Sequence, residues 1–242
     1  MDKVLTNVWV YLTASPLLWL TMTLLAYLAG LWLFRRSGGR AWFNPVALAM
    51  ALLVGVLLLT GTPYPTYFQG AQFIHFLLGP ATVALAVPLY LHWDRVRRLF
   101  LPIVAGLLAG SLTASVSAIG LAWLLDGSPH TLRSLVPKSV TTPVAMGIAE
   151  KVGGIPSLTA VVVILTGVVG AVAAPALLNA LRIRDDAVKG FAMGISAHGI
   201  GTARALQISS LAGAFAGLAI GLNALLTAFL APLIVRLFNL TP

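Results

Sequence analysis

Charge is what this sequence has least of. Only 9% of the 242 residues are charged, six acidic against fifteen basic, for a net charge of +9. Soluble domains contain about a quarter charged residues, and so few charges cannot cover a water-facing surface of this size. The composition excludes an ordinary soluble enzyme, a disordered chain and a collagen-like chain. It also argues against nucleic-acid binding, because the basic residues punctuate apolar runs instead of forming a solvated face.

Cysteine is absent, which excludes disulfides, thiolate metal sites and cysteine nucleophiles. Histidine occurs four times, and carboxylates are scarce near the apolar runs, so neither a metal ion nor another cofactor is expected. No spacing of Ser, His and Asp supports a catalytic triad, and we expect no enzymatic activity. Residues 1–15 lack the basic start and small-residue cleavage site of a signal peptide.

Long apolar runs are what the sequence has in abundance, with 59% hydrophobic residues and a mean hydropathy of +0.97. A transmembrane helix needs about 20 apolar residues, and the runs are about twice as long as the strands of a membrane β-barrel. They predict an all-α polytopic membrane protein with seven or eight transmembrane segments in a single domain, 1–242. The seven predicted spans are 16–34, 44–60, 73–91, 99–125, 156–181, 190–207 and 211–238.

An eighth segment, 135–150, is short and contains Pro137, Lys138 and Pro143. It is either a full span or a re-entrant element that goes partway into the membrane and returns, and the sequence leaves both alternatives open.

A weak internal repeat relates the two halves of the chain. Shifting the sequence against itself by 115 residues aligns several glycines and aromatics at one constant offset: Gly38 and Gly39 with Gly153 and Gly154, Phe76 and Gly79 with Phe191 and Gly194, Phe100 with Phe215, and Gly106 with Gly221. Transporters are often built from such repeats. The alignment predicts repeat halves at about 16–125 and 131–238.

The basic residues indicate how the halves are oriented. Nine of the fifteen lie in three loops: Arg35, Arg36 and Arg40; Arg95, Arg97 and Arg98; Arg182, Arg184 and Lys189. The positive-inside rule places all three loops in the cytoplasm. The loops at equivalent positions of the other half carry little or no positive charge, which favours two halves inserted in opposite orientations, an inverted repeat.

Three polar stretches interrupt the apolar runs: 77–88, with Gly79, Pro80 and Thr82; 136–151, with Lys138, Ser139, Thr141 and Thr142; and 194–207, with His198, Thr202 and Arg204. Backbone at membrane depth leaves a helix only where it is buried or lines a wet cavity. A broken helix exposes N–H groups at a partly positive end that suits an anion. With hydroxyl donors and a Lys or Arg nearby, these stretches predict discontinuous helices around a site for a small anion. The alternative is that these residues kink and pack the helices.

At these stretches the sequence resembles the LrgB/CidB family. The resemblance rests on YFQGAQFIHFLLGPATVALAVPLY at 67–90, LVPKSVTTPVAMGIAEKVGGIPSLTAVVVILTGVVGA at 135–171, SAHGIGTARAL at 196–206 and GLNALLTAFLAPL at 221–233. It implies a multi-pass protein of the bacterial cytoplasmic (inner) membrane, with a small LrgA/CidA-type membrane protein as partner. Relatives of this kind include the plastid glycolate/glycerate translocator, and others are described as antiholin-like.

Two functional hypotheses follow. The favoured one is a secondary transporter of small monocarboxylates such as pyruvate, glycolate or glycerate, acting by alternating access and assembling as a homodimer. The alternative is a holin- or antiholin-like regulator of murein hydrolase export and autolysis. The candidate substrate-binding residues are Lys138, Ser139, Thr141, Thr142, Pro143, His198, Gly199, Gly201, Thr202, Arg204, Gly79, Pro80, Thr82 and Asn223, and the candidates for proton or ion coupling are His198 and Glu150.

Overall fold

The computed structural model describes residues 15–77, 80, 83–84 and 86–240. Every regular element in these ranges is helical. The elements are α1 Pro16–Arg36, a 3-10 turn Ala41–Phe43, α2 Pro45–Thr60, α3 Tyr64–Phe76, α4 Ala86–Leu91, α5 Trp93–Arg98, α6 Phe100–Leu124, α7 Pro129–Leu135, α8 Thr142–Lys151, α9 Pro156–Ala180, α10 Asp186–Ile208 and α11 Ser210–Leu237. The chain divides into two compact units, Met1–Ala84 and Leu85–Pro242.

Four of the described helices are long and apolar enough to cross a membrane: α1, α6, α9 and α11. Their outer faces carry large apolar side chains such as Leu165 and Phe229, which are 57% and 75% exposed. A surface of this kind suits lipid and not water. The total of seven or eight spans and the inverted repeat stay predictions. Of the remaining predicted spans, 44–60 is a shorter helix, 73–91 lies partly outside the described residues, and 190–207 belongs to a broken helix.

The first unit packs α1 against α2 and α3. Asn44 begins α2 by accepting hydrogen bonds from the N–H groups of Val46 and Ala47. Trp19 is fully buried and meets the ring of Tyr67 edge to face at 5.9 Å. Gly70 allows α3 to touch α1, since a Cβ there would lie 2.2 Å from the Pro16 carbonyl oxygen.

In the second unit the segment 129–151 is a helical hairpin, which we call the first hairpin. Its arms are α7 and α8, joined by a turn at residues 136–141. At its base, His130 and Arg133 both lie 3.0 Å from the carbonyl oxygen of Gly153. The ten residues of α8 span about 15 Å at 1.5 Å per residue, half of a hydrocarbon core about 30 Å thick. The segment 135–150 turns back towards its own base in the structure, which favours the re-entrant alternative.

The helix α10 is a second hairpin and not a single crossing. Its backbone breaks at His198, where φ is 39° and ψ is −131°. Beyond the break the chain folds back on itself, because a Cβ at Gly201 would lie 2.5 Å from the carbonyl oxygen of Met193, eight residues earlier. The predicted span at 190–207 is therefore wrong as a crossing, although the predicted interruption of this stretch is present. The glycines at 199 and 201 allow the reversal.

The two hairpins enter the second unit from opposite ends. The base of the second hairpin lies beside α5, because Arg95 Nη2 is 2.6 Å from Asp185 Oδ2. We call this the basic end. The helix α6 starts at the basic end and runs for 25 residues to the opposite end of the unit, where the first hairpin begins. At that opposite end, Leu132 and Ile148 of the first hairpin share a buried apolar cluster with Ile234 of α11.

The contact between Arg95 and Asp185 also joins two of the three basic loops at one end of the unit. Asp185 begins α10 by accepting a hydrogen bond of 2.8 Å from the Ala187 N–H. Partial burial raises the pKa of the Asp185 carboxyl, but hydrogen bonds from the Ala187 and Val188 N–H groups and the charge of Arg95 outweigh burial, so that its pKa lies below the usual value.

Asp185 both caps α10 and pairs with Arg95, and two substitutions should separate these contributions to stability. Asp185→Asn keeps a capping oxygen but loses the ion pair, and exposed pairs contribute about 0.5 kcal/mol. Asp185→Ala loses both, and a lost cap costs about 1 kcal/mol more. A carboxyl whose folded pKa is depressed stabilises the fold above its unfolded pKa and loses that effect as the pH falls. The wild-type advantage over Asp185→Asn should therefore shrink below about pH 4. Thermal unfolding in detergent between pH 3 and 7 measures this, and a pH-independent difference would contradict it.

Candidate functional site

The tips of the two hairpins meet at one amide side chain. Asn223, 1% exposed in the middle of α11, donates to the carbonyl oxygen of Ser139 at 3.1 Å and to that of Ile195 at 3.3 Å. Its own oxygen accepts hydrogen bonds from the hydroxyls of Ser111 and Thr227. An amide has two donors and two acceptor positions, so Asn223 has all of them occupied while it joins both tips to α6 and α11.

A second hydroxyl on α6 holds the first hairpin. Ser115 donates to the carbonyl oxygen of Val136 at 3.0 Å. Because Ser111 and Ser115 are one turn apart, they lie on the same face of an otherwise apolar helix, as do Asn223 and Thr227 on α11. Sequence reasoning missed Ser111, Ser115 and Thr227. The signal that could have found them is this spacing of four between polar residues inside apolar runs.

His198 fixes the break in α10. The residue is 5% exposed, and its Nε2 lies 2.9 Å from the carbonyl oxygen of Val163 on α9. Gly167 leaves room for the ring, since a Cβ there would lie 2.7 Å from it. A φ of 39° is uncommon for a residue with a side chain. The strain is held in place by the ring's contact with α9.

A cavity of about 640 Å³ lies in the second unit beside the two tips. Its walls come from α6 and from the first arm of α10, and the first hairpin contributes Lys138 and Ser139. Of the described residues that line it, Lys138 is the one that carries a charge. Such an arrangement, an apolar cavity with a few converging polar groups, is typical of small-molecule sites.

Ser139 is the most unusual polar group in this cavity. It is 7% exposed, and within the described part of the chain its hydroxyl has no hydrogen-bond partner. An unpartnered buried hydroxyl costs about 1–3 kcal/mol. Both residues line the cavity, and Lys138 brings a positive charge to it, whereas the Ser139 hydroxyl oxygen is enclosed at the cavity wall.

The remaining predicted residues of the first hairpin are placed around its tip. Thr141 is the N-cap of α8 without a side-chain cap bond, Thr142 is half-buried and Pro143 is exposed. Glu150 is exposed on the last turn of α8, away from the tip. None of these four lines the described cavity.

In the second hairpin, His198 and Thr202 belong together, because the Thr202 hydroxyl donates to the His198 carbonyl at 3.1 Å. Arg204 donates to the Gln207 side chain at 2.7 Å. Gly201 is buried against the first arm, and Gly199 is exposed at the turn. These residues shape the hairpin and do not line the described cavity.

The first polar stretch lies mostly outside the described residues. Gly79 and Thr82 are not among them, and Pro80 is an exposed residue of the first unit. Their part in a site stays a prediction. Among the described residues, no group of three or more His, Asp or Glu side chains could hold a metal ion.

These features define a class: a helical membrane protein in which two opposed hairpins meet beside an apolar cavity with a lysine. The chain belongs to the LrgB-like family, whose model matches residues 23–237. No solved structure matches it.

Its curated relatives are bacterial proteins of similar length. The uncharacterized proteins YwbG and YxaC of Bacillus subtilis (strain 168) are each 37% identical, over 89% and 90% of this chain and 96% and 95% of their own. The antiholin-like protein LrgB of the same organism is 30% identical over 94% of this chain and 98% of its own. The resemblance read from the polar stretches is thereby confirmed.

Asn223→Leu tests the junction of the tips. The change leaves the carbonyl groups of Ser139 and Ile195 and the Ser111 hydroxyl without their partner, and we expect a loss of about 2–4 kcal/mol in unfolding free energy. Hydrogen exchange should accelerate in 136–141 and 196–200. Asn179→Leu is the matched control, since Asn179 is exposed at the end of α9. Equal effects of the two substitutions would contradict the assignment.

Two substitutions at His198 separate backbone strain from the ring contact. Both His198→Ala and His198→Gly lose the bond to the Val163 carbonyl, but glycine accepts a positive φ without strain. The glycine variant should be the more stable of the two by about 1 kcal/mol, measured by thermal unfolding in detergent. The reverse order would mean that the break carries no strain.

Proposed function

We propose that this protein is a carrier of small monocarboxylates in the bacterial cytoplasmic membrane, and not an enzyme. The proposed substrates are 2-oxo and 2-hydroxy acids of the pyruvate, glycolate and glycerate type. The substrate carboxylate binds in the cavity between α6 and the second hairpin.

The observation that carries the proposal is the pair Lys138 and Ser139 at the tip of the first hairpin. A charge inside an apolar cavity is costly unless it has a partner. Within the cavity walls that the structure describes, Lys138 has no carboxylate beside it, and the Ser139 hydroxyl is also unpartnered. A bound carboxylate supplies a negative charge for the first, and a small shift of the hairpin tip brings its oxygen within reach of the second as an acceptor.

The opposed hairpins support transport in particular. Each reaches only partway through the unit, and both end at Asn223, so movement of either hairpin changes access to the cavity from one end. Carriers commonly bind substrate at mid-membrane between discontinuous helices and expose it alternately to the two sides. His198 stays a candidate for proton coupling, whereas Glu150 is exposed at the hairpin base, away from the tip.

The second candidate function is regulation of murein hydrolase export and autolysis. Its support is the name of the relatives at 28–30% identity, antiholin-like protein LrgB. Such a regulator would act by binding a small LrgA/CidA-type membrane protein. The proposal includes that partner, and a homodimer, for either function.

Uptake by the Lys138→Met variant decides between the two functions. Methionine keeps the apolar length of lysine and removes its charge, so a carrier should lose at least tenfold in labelled pyruvate or glycolate uptake into proteoliposomes. Lys151→Met is the matched control, because Lys151 is exposed at the base of the same hairpin, and it should transport normally.

The assay is run with and without a co-reconstituted LrgA/CidA-type protein. Absence of flux for every small carboxylate in the wild type under both conditions would overturn the carrier. Lysis control in cells that is identical for wild type and Lys138→Met, together with absence of flux, would favour the regulator.

A further inference from the structure

The walls of the cavity point to a more specific class of substrate. The polar lining residues, Thr113, Lys138, Ser139 and Ser196, all lie at the level of the hairpin tips. Towards the basic end the lining is apolar and includes Leu99, Ile103, Val188, Phe191 and Phe215. The cavity therefore has a polar inner end and an apolar arm.

The arm is long. Between Leu99 and Thr113 the cavity follows α6 for about 20 Å at 1.5 Å per residue. Its volume of about 640 Å³ equals on the order of twenty water molecules at about 30 Å³ each. A three-carbon acid held at Lys138 would contact only the polar end of that space and would leave the apolar lining without a ligand to bury it.

Small residues on α6 set how the helix meets the second hairpin. Gly106 and Gly110 let the two approach closely, since added Cβ atoms would lie 3.4 Å from the Phe191 ring and 3.0 Å from the Ile195 side chain. Ala109 lines the same wall and is exposed to the cavity. The apolar part of the cavity therefore runs along the line where α6 and the second hairpin meet.

We infer that the preferred substrate of this chain is a monocarboxylate with an apolar tail, such as a branched-chain 2-oxo acid. The carboxylate lies at Lys138 and Ser139, and the tail lies along α6 against Phe191 and Phe215. This inference rests on the proposed carrier function and narrows its substrate class. Each methylene buried in the arm raises affinity about fourfold.

The test compares two labelled acids in the same proteoliposomes, pyruvate and 4-methyl-2-oxopentanoate, at pH 7.5, with protein-free liposomes to subtract passive entry. The longer acid should half-saturate uptake at a concentration at least tenfold lower than pyruvate. Unlabelled 4-methylpentanamide, which has the apolar tail without the charge, should compete at least tenfold less well than the longer acid.

Two variants locate the tail. Ala109→Phe places a ring in the arm and should reduce the preference for the longer acid at least fivefold. Leu108→Phe is the matched control, because Leu108 points away from the cavity on the next position of α6, and it should leave the preference unchanged.

The outcomes are distinguishable from failure of the carrier itself. Uptake of neither acid overturns the proposed function. Uptake of pyruvate with equal or better half-saturation than the longer acid overturns this inference and leaves the carrier standing. Competition by the amide as strong as that by the acid overturns the placement of the carboxylate at Lys138. An equal effect of Ala109→Phe and Leu108→Phe overturns the placement of the tail.

Discussion

The side chain of Asn223 is the interaction on which the second unit depends. Two hairpins from opposite ends of the unit must stop in its interior, and the turns at their tips leave backbone carbonyls without helical partners. The amide donates to one carbonyl of each tip, at 3.1 and 3.3 Å, and is itself held by hydroxyls of α6 and α11. A buried amide with every position filled fixes one arrangement of four segments, and without it the backbone of both tips would be unsatisfied.

The cavity follows from this arrangement. Since the first hairpin ends at the middle of α6, it contributes Lys138 and Ser139 to the inner end of a space whose length comes from α6 and the first arm of α10. The reversal at His198 ends the first helix of the second hairpin inside the unit. The bond between the His198 ring and the Val163 carbonyl anchors this reversal to α9. The first hairpin thus supplies the charge and the unpartnered hydroxyl of the site, and the second hairpin supplies one wall of the apolar part of the cavity.

Many of the helices and both hairpin tips could be predicted from the sequence, because the composition of a segment and the spacing of its apolar residues indicate the environment of a helix. The apolar runs identified α1, α6, α9 and α11, and the polar stretches marked both hairpin tips. The reversal at His198 could not be predicted, because the run from 190 to 207 has about the length of a crossing. The backbone break at His198 and the packing of Gly201 on Met193 show that the chain turns back. Arg204 and Glu150 do not line the described cavity, and their part in a site stays a prediction. Charge in a polar stretch indicates a break in the membrane pattern, but which side of the break faces the cavity is set by tertiary contacts.

The bonds of the first hairpin suggest how a carrier of this design would move. Its base is held by Ser134, which accepts from the Ile155 N–H at 2.7 Å and whose carbonyl accepts from Thr159 at 2.9 Å, and by the two contacts to the Gly153 carbonyl. Its tip is held by two bonds, from Ser115 to the Val136 carbonyl and from Asn223 to the Ser139 carbonyl. Intramolecular hydrogen bonds contribute about 1 kcal/mol each when water replaces the lost partner, so the tip is released at low cost only where water reaches the two carbonyl groups. In the proposed carrier the base therefore acts as the pivot, and the residues that bind the substrate lie on the part that moves.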